Sequence, residues 1–224
     1  SLAYLDARIL STPPVAVAQL FKEVDRMGQL AKETLGMAMD ALITQDNTKV
    51  DQIYENENTI NFLNRGIAEY LVKINGLDLE DYDRQALGSM YHVISDMERI
   101  GDQASDIAEI IISARMTEAM DISRIGQMSE AAAKMVRDSV NAYVEKDLEL
   151  SRKVIKDDDI VDELFEEVKT TLIDFIAENK GEQGGEAIDL IMVAKYLERI
   201  ADHATNIAEW VEFSITGIHK ASVV

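Results

Sequence analysis

Glu98-Arg99-Ile100-Gly101-Asp102-Gln103-Ala104-Ser105-Asp106-Ile107-Ala108-Glu109 returns one hundred residues later as Glu198-Arg199-Ile200-Ala201-Asp202-His203-Ala204-Thr205-Asn206-Ile207-Ala208-Glu209. The agreement extends outward from these two stretches. Met27 falls on Met128, Ala41 on Ala142, Asp46 on Asp147, Ile53 on Val154, Ile60 on Val161 and Leu63 on Leu164, all at an offset of 101. The slip of one residue belongs in a loop between the two blocks. Unrelated helices would not keep register over such a length, so the chain is a duplication of one unit.

Within each unit the apolar residues recur every three or four positions, the period of a helix. Leu20, Val24, Met27, Ala31, Ala38 and Leu42 form one stripe, and Val50, Ile53, Ile60, Ile67, Leu71 and Ile74 a second. Val93, Met97, Ile100, Ala104, Ile107 and Ile111 form a third. Helix-stopping chemistry sits between the stripes, at Asn75-Gly76, Asn179-Lys180-Gly181 and Gly184-Gly185. Asp46 and Asp147 stand where the second helix of each unit needs an N-cap. These signals predict helices over about 16–44, 47–75, 80–115, 121–145, 147–179 and 185–216. Short connections between long amphipathic helices predict an all-α fold of six antiparallel helices, as two tandem pseudo-symmetric three-helix bundles. The expected division is a linker over 1–15, a first repeat over 16–117 and a second over 118–224. Gly36 and Gly101, both mid-helix, read as close-packing positions, the methionines as core filling and Trp210 as a packing anchor.

Composition excludes several classes. There are no cysteines, which removes disulfides, thiolate metal sites and cysteine nucleophiles. No apolar run approaches the roughly 20 residues that span a bilayer, and no signal peptide is visible. Lys and Arg number 22 against 42 Asp and Glu, a formal net charge of −20. Such a surface repels nucleic acid, which is bound through clustered basic residues, and equally repels free phosphate. There is no glycine-rich phosphate loop, no Ser-His-Asp order and no histidine-based metal motif.

The acids are patterned. At about 100° per residue, Glu98, Asp102 and Asp106 share an arc of about 80° on one helix. The second unit repeats the set as Glu198, Asp202 and Asn206, and Glu109 and Glu209 follow on the same stripes. This arc lies away from the apolar stripe, which places it towards solvent or a partner. Like charges four residues apart destabilise a helix by a few tenths of a kcal/mol. A divalent or trivalent cation resolves that conflict, because hard metals take several carboxylate oxygens. Glu57 and its counterpart Asp158 lie only about 60° from the middle of the second-helix stripe, with Asn61 and Asp162 one turn on. A carboxylate at a bundle seam is costly unless paired or metal-bound. Glu57, Glu98, Asp102 and Asp106 are therefore the candidate metal ligands of the first unit, and Asp158, Asp162, Glu198 and Asp202 those of the second. The competing reading is that these are solvated acids on an acidic protein. His203 has Gln103 as its counterpart and reads as an exposed histidine or an extra ligand; His92 and His219 also lack matching histidines.

The doubled Glu-Arg-Ile-(Gly/Ala)-Asp-x-Ala-x-x-Ile-Ala-Glu segments, with Glu57-x-x-x-Asn61 and Asp158-x-x-x-Asp162, resemble the PhoU family over about residues 20–216. The resemblance implies two three-helix bundles and multinuclear iron or zinc clusters held by Glu/Asp-x-x-x-Asp motifs. It also implies a non-enzymatic, cytoplasmic role as a negative regulator of phosphate uptake, at the inner face of the cell membrane. The implied partners are a phosphate transporter, metal ions and, through metal, phosphate. Asn61 and Asn206 depart from the family's Asp and bring full cluster occupancy into question.

The chain opens at Ser1 without an initiator Met. Tyr4-Leu5-Asp6-x-Arg8-x-Leu10-x-Thr12-Pro13, followed by Val24-x-Arg26-Met27, resembles the junction between the membrane part of bacterial sodium/phosphate cotransporters and their C-terminal PhoU-like domain. The expectation is a transporter tail, with a free-standing regulator as the alternative and self-association as a homodimer. Two other classes remain open: a metal-free helical adaptor, and a di-metal carboxylate enzyme. The enzyme is disfavoured because neither unit has the Glu-x-x-His pairs such sites use.

Overall fold

The computed structural model describes residues 1–113 and 122–217. A short 3-10 helix, Ala7–Ser11, precedes six α-helices. They are α1 Pro13–Thr44, α2 Val50–Asn75, α3 Asp81–Ser113, α4 Ser123–Glu145, α5 Leu148–Glu178 and α6 Gly184–Thr216. Among the described residues there is no strand, and no helix is long and apolar enough to cross a membrane. The expected boundary at 117–118 and His219 lie outside the described residues.

Every residue of the first two stripes is buried, as are Val93, Met97, Ile100, Ala104 and Ile107 of the third. Helix ends follow local chemistry with two departures. Asp147 caps α5 as expected, its Oδ1 accepting from the Leu150 N–H at 3.0 Å. Asp46 does not cap α2. Its Oδ1 accepts from the Thr48 N–H at 2.9 Å, and this turn postpones the helix to Val50. At the other end α1 begins at Pro13 rather than after the Pro pair, because proline suits the first helical positions, where no N–H partner is needed.

The three helices of each repeat pack on one another, and the two repeats share one continuous core. Contacts fix the directions. His92 of α3 stacks on Trp210 of α6 with centroids 3.9 Å apart, while Asp96 reaches His203, so α3 and α6 run antiparallel. Likewise Phe21 meets Tyr143 at 5.6 Å and Gly28 meets Val140, so α1 and α4 run antiparallel. The bundles are thus related by an approximate two-fold axis, with α1 and α3 facing their own counterparts.

Glycines divide by what surrounds them. A Cβ on Gly101 would stand 2.9 Å from Ile60 Cδ1, which confirms a close approach of α3 to α2. Gly36 is exposed with nothing within 4 Å, so it is not a packing position. Gly28, which the stripe did not single out, is one: a Cβ there would meet Val140 Cγ1 at 2.7 Å. Gly28→Val is therefore expected to cost about 1–3 kcal/mol through overpacking of the α1–α4 contact. Gly36→Ala should instead stabilise by about 0.5–1 kcal/mol through helix propensity. Urea denaturation of both variants checks the pair of signs.

Candidate metal centre

The close approach at Gly101 brings the carboxylates of α2 and α3 together. Glu57 shares a hydrogen bond with Asp102, and Glu98 lies near enough to bear on Asp102 electrostatically. Asn64 Nδ2 donates to Glu98 Oε2 at 2.8 Å. Asp106 lies one turn further along, within the field of Glu57 and Glu109 and of Arg199 from the other repeat. These acids are half-buried on the α2–α3 seam. Of the two surroundings expected for the Glu98–Asp102–Asp106 arc, solvent or a partner, the structure gives a partner helix, α2. Angles taken from the stripe of one helix ignore how far a partner helix wraps around it.

The second repeat gathers its acids more tightly. One carboxylate oxygen each of Asp158, Asp162 and Asp202 lies within 4.8 Å of the others, the one such group among the described residues. Glu198 bears on both Asp162 and Asp202, while its Oε1 also accepts from Lys195 Nζ at 2.6 Å. All eight predicted ligands thus fall into two sets, four on α2–α3 and four on α5–α6. Their matched Asn residues diverge. Asn61 is half-buried on the α2 seam, whereas Asn206 is exposed and donates to Asp96 Oδ1 of the other repeat at 3.3 Å. His203, expected to be exposed or a ligand, is half-buried, and its Nδ1 lies 2.9 Å from the same Asp96 oxygen.

Burial and crowding have the same effect on both sets. Burial first, then the Glu57 hydrogen bond and the charges of Glu98 and Glu57, push the Asp102 carboxyl up to about 6. Burial, then the charges of Asp162, Asp202 and Asp159, push Asp158 up to about 7, although the Thr205 hydroxyl partly offsets them. Burial also raises Asp106, Asp162 and Asp202. Among the described residues, Asp158 Oδ1 and Asn61 Oδ1 are buried acceptors without a donor, as is Gln103 Oε1, which belongs to neither ligand set. An unpartnered buried acceptor costs about 1–3 kcal/mol. The first two stand at the candidate centres, one in each repeat.

Sequence reasoning missed Asn64, Lys195 and Thr205, which bear on these carboxylates from the same helix or a neighbour, and Asp96, which meets His203 and Asn206 beside the second set. Only the i,i+3 spacing of Lys195 and Glu198 was a visible signal.

The PhoU domain matches the chain twice, over residues 24–111 and 125–211. The chain belongs to the PhoU family. It is 30% identical over 202 residues to a phosphate-specific transport system accessory protein PhoU homolog of Clostridium acetobutylicum, covering 89% of this chain and 92% of that one. It is 34% identical over 190 residues to the homolog of Aquifex aeolicus, covering 81% and 86%. The crystal structure of PhoU from Pseudomonas aeruginosa superposes with a TM-score of 0.88 at 26% identity, over 92% of this chain and 99% of that one. PhoU family proteins are regulatory accessory proteins, not enzymes.

The raised carboxyls set the pH response of the metal-free protein. A folded-state pKa above the unfolded value means that the folded state holds the proton more tightly. The resulting stabilisation is complete below about pH 4, the ordinary carboxylate value. It is lost as pH rises through about 6 for Asp102 and about 7 for Asp158. The metal-free protein should therefore melt at lower temperature as pH rises from about 5 to 8. Asp102→Asn and Asp158→Asn should flatten that slope and raise Tm at the alkaline end. Melting curves parallel to wild type across the range would contradict this electrostatic account.

Proposed function

We propose that the protein is a phosphate-uptake regulatory module that binds metal through its two carboxylate sets and passes that state to a phosphate transporter at the inner face of the cell membrane. The phosphate-uptake role rests on membership of a family whose relatives are named as phosphate transport accessory proteins. The observation that carries the metal reading is the crowding of carboxylates on each seam beside a buried oxygen that has no donor, Asp158 Oδ1 in one set and Asn61 Oδ1 in the other. A cation would supply the missing partner and offset the mutual repulsion.

The donors fit such a group. Glu57, Asn61, Glu98, Asp102 and Asp106 would hold it in the first repeat, and Asp158, Asp162, Glu198 and Asp202 in the second. Asn61 offers a neutral carbonyl oxygen where the other repeat has a carboxylate, so it removes charge without removing a ligand atom. Every donor is an oxygen, which suits iron or another hard cation better than zinc, whose sites favour nitrogen and sulfur. A bound cation would supply the local positive charge that phosphate oxygens need on a chain of net charge −20. The chain's own residues do the rest. Asn64 orients Glu98 and Lys195 moderates Glu198.

The test is elemental analysis of protein purified after growth with iron and zinc supplied. Wild type should carry metal, and chelation should lower its Tm, because a ligand specific for the native state stabilises it by mass action. Asp102→Asn combined with Asp202→Asn should lose metal while its metal-free form melts higher than metal-free wild type. Equal metal content in wild type and the double variant would rule these residues out as ligands and leave the metal-free helical adaptor as the better reading.

A further inference from the structure

Glu23 is a charged side chain in the middle of α1 that is fully buried, and the carboxylate sets do not involve it. Its partners come from the start of the chain. Glu23 Oε2 accepts from the Tyr4 N–H at 2.8 Å and Oε1 from the Ala3 N–H at 3.4 Å. Arg26 Nε donates to Glu23 Oε1 at 2.8 Å, and Arg26 Nη2 donates to the Ser1 carbonyl at 2.8 Å. Across the groove, α2 contributes a seat and a second anchor. Leu2 fills the space over Gly66, where a Cβ would stand 2.9 Å from Leu2 Cδ2. Tyr70 donates its hydroxyl hydrogen to the Asp6 carbonyl at 2.9 Å. All of these contacts read the segment through its backbone and one leucine.

The second repeat lacks this arrangement. At the offset of 101, Glu23 corresponds to Arg124, Gly66 to Glu167 and Tyr70 to Thr171. Arg124 and Glu167 form an ion pair across α4 and α5, at the rim of a cavity of about 400 Å³ that Thr171 also lines, so charged side chains stand where the first repeat seats Leu2. The apolar stripes match between repeats, whereas these groove positions do not. The groove also runs on past Ser1 as a cavity of about 310 Å³ with Arg26 at its edge and Leu30 and Leu63 in its lining.

The segment is anchored over Ser1–Asp6 by these contacts and lightly held beyond them. None of the residues of its 3-10 helix is buried, and Leu2, Leu5, Ile9 and Leu10 lie against the core only in part. Its one ion pair, Arg8 to Asp6, is local and exposed.

We propose that the α1–α2 groove of the first repeat is a segment-recognition site, in which Glu23 reads two consecutive backbone N–H groups and Gly66 seats one leucine, and that Ser1–Ser11 is its detachable occupant. Its recognition pattern is a leucine followed by two residues with free N–H groups, so proline is excluded from either of the latter. The groove therefore has two states, docked and open, while the helices stay folded.

Hydrogen exchange on the full chain tests this. In wild type the Ala3 and Tyr4 amides should be protected, yet exchange about a hundredfold faster than core amides of α1 and α3, through an opening that leaves the helices intact. Gly66→Leu, which fills the seat, should speed their exchange about tenfold or more without altering core amides. Glu23→Gln, which keeps the shape of the side chain, should do the same to a smaller extent and covers the case in which Gly66→Leu misfolds. The chain has no cysteine of its own, so Leu2→Cys with Gly66→Cys gives a clean lock. Oxidation should produce a crosslink within one chain and suppress the exchange. Three results would overturn the proposal: unprotected Ala3 and Tyr4 amides in wild type, exchange at the core rate, or no response to either substitution.

Discussion

The separation of α2 from α3, and of α5 from α6, is the constraint on which the rest of the structure depends. In the first repeat Ile60 packs onto Gly101, a contact that leaves no room for a Cβ. At the matched place in the second repeat stand Val161 and Ala201, both fully buried. One methyl group has moved from one helix to the other, and the total side-chain carbon is unchanged. Protein interiors are packed closely enough that such compensation matters. Across these contacts Glu57 bears on Asp102 in the first repeat and Asp158 lies close to Asp202 in the second. A larger residue at Gly101 would separate the carboxylates that burial and mutual repulsion make costly to hold together.

The two sets hold equal charge by different routes. Glu57, Asn61, Glu98, Asp102 and Asp106 correspond to Asp158, Asp162, Glu198, Asp202 and Asn206, so each repeat has four acids and one amide. The amide falls at the α2 seam in the first repeat and at the outer end of the α6 row in the second. Lys195 on Glu198 has Ser95 as its counterpart, so the first repeat has no cation at that place. Instead Asn64 donates to Glu98, which satisfies one oxygen and leaves the charge. The sets are related, but they are not interchangeable.

Much of this was legible from residue order alone. The doubled motif and unbroken stripes such as Leu20-Val24-Met27-Ala31 specify helices and duplication without reference to any partner. They place most helix ends within a few residues. What failed depended on a second element. Asp46 looks like a cap until the Thr48 N–H takes its side chain. Gly36 and Gly28 differ only in whether α4 crosses above them, which no stripe on α1 records. Glu98 and Asp102 project as an arc open to solvent or a partner because a helical wheel has no neighbour on it. The N-terminal segment reads as a linker, and nothing in its own residues announces a buried carboxylate waiting on α1.

The approximate two-fold axis sets how the two centres relate. Because α3 and α6 run antiparallel past one another, the Asp102 and Asp202 levels coincide along the helices, and each set lies beside residues of the other repeat. Arg199 of α6, next in sequence to Glu198, bears on Asp106 of the first set. Asp96 of α3 accepts from Asn206 and lies 2.9 Å from His203, next in sequence to Asp202 of the second. A change of charge at Asp106 therefore alters what Arg199 faces, and a movement of Asp96 alters what flanks Asp202. Partly buried charges at such distances are screened less than exposed ones. The shared α3–α6 seam thus sets charged residues of each repeat beside the carboxylate set of the other, which two sites on separate domains would not have.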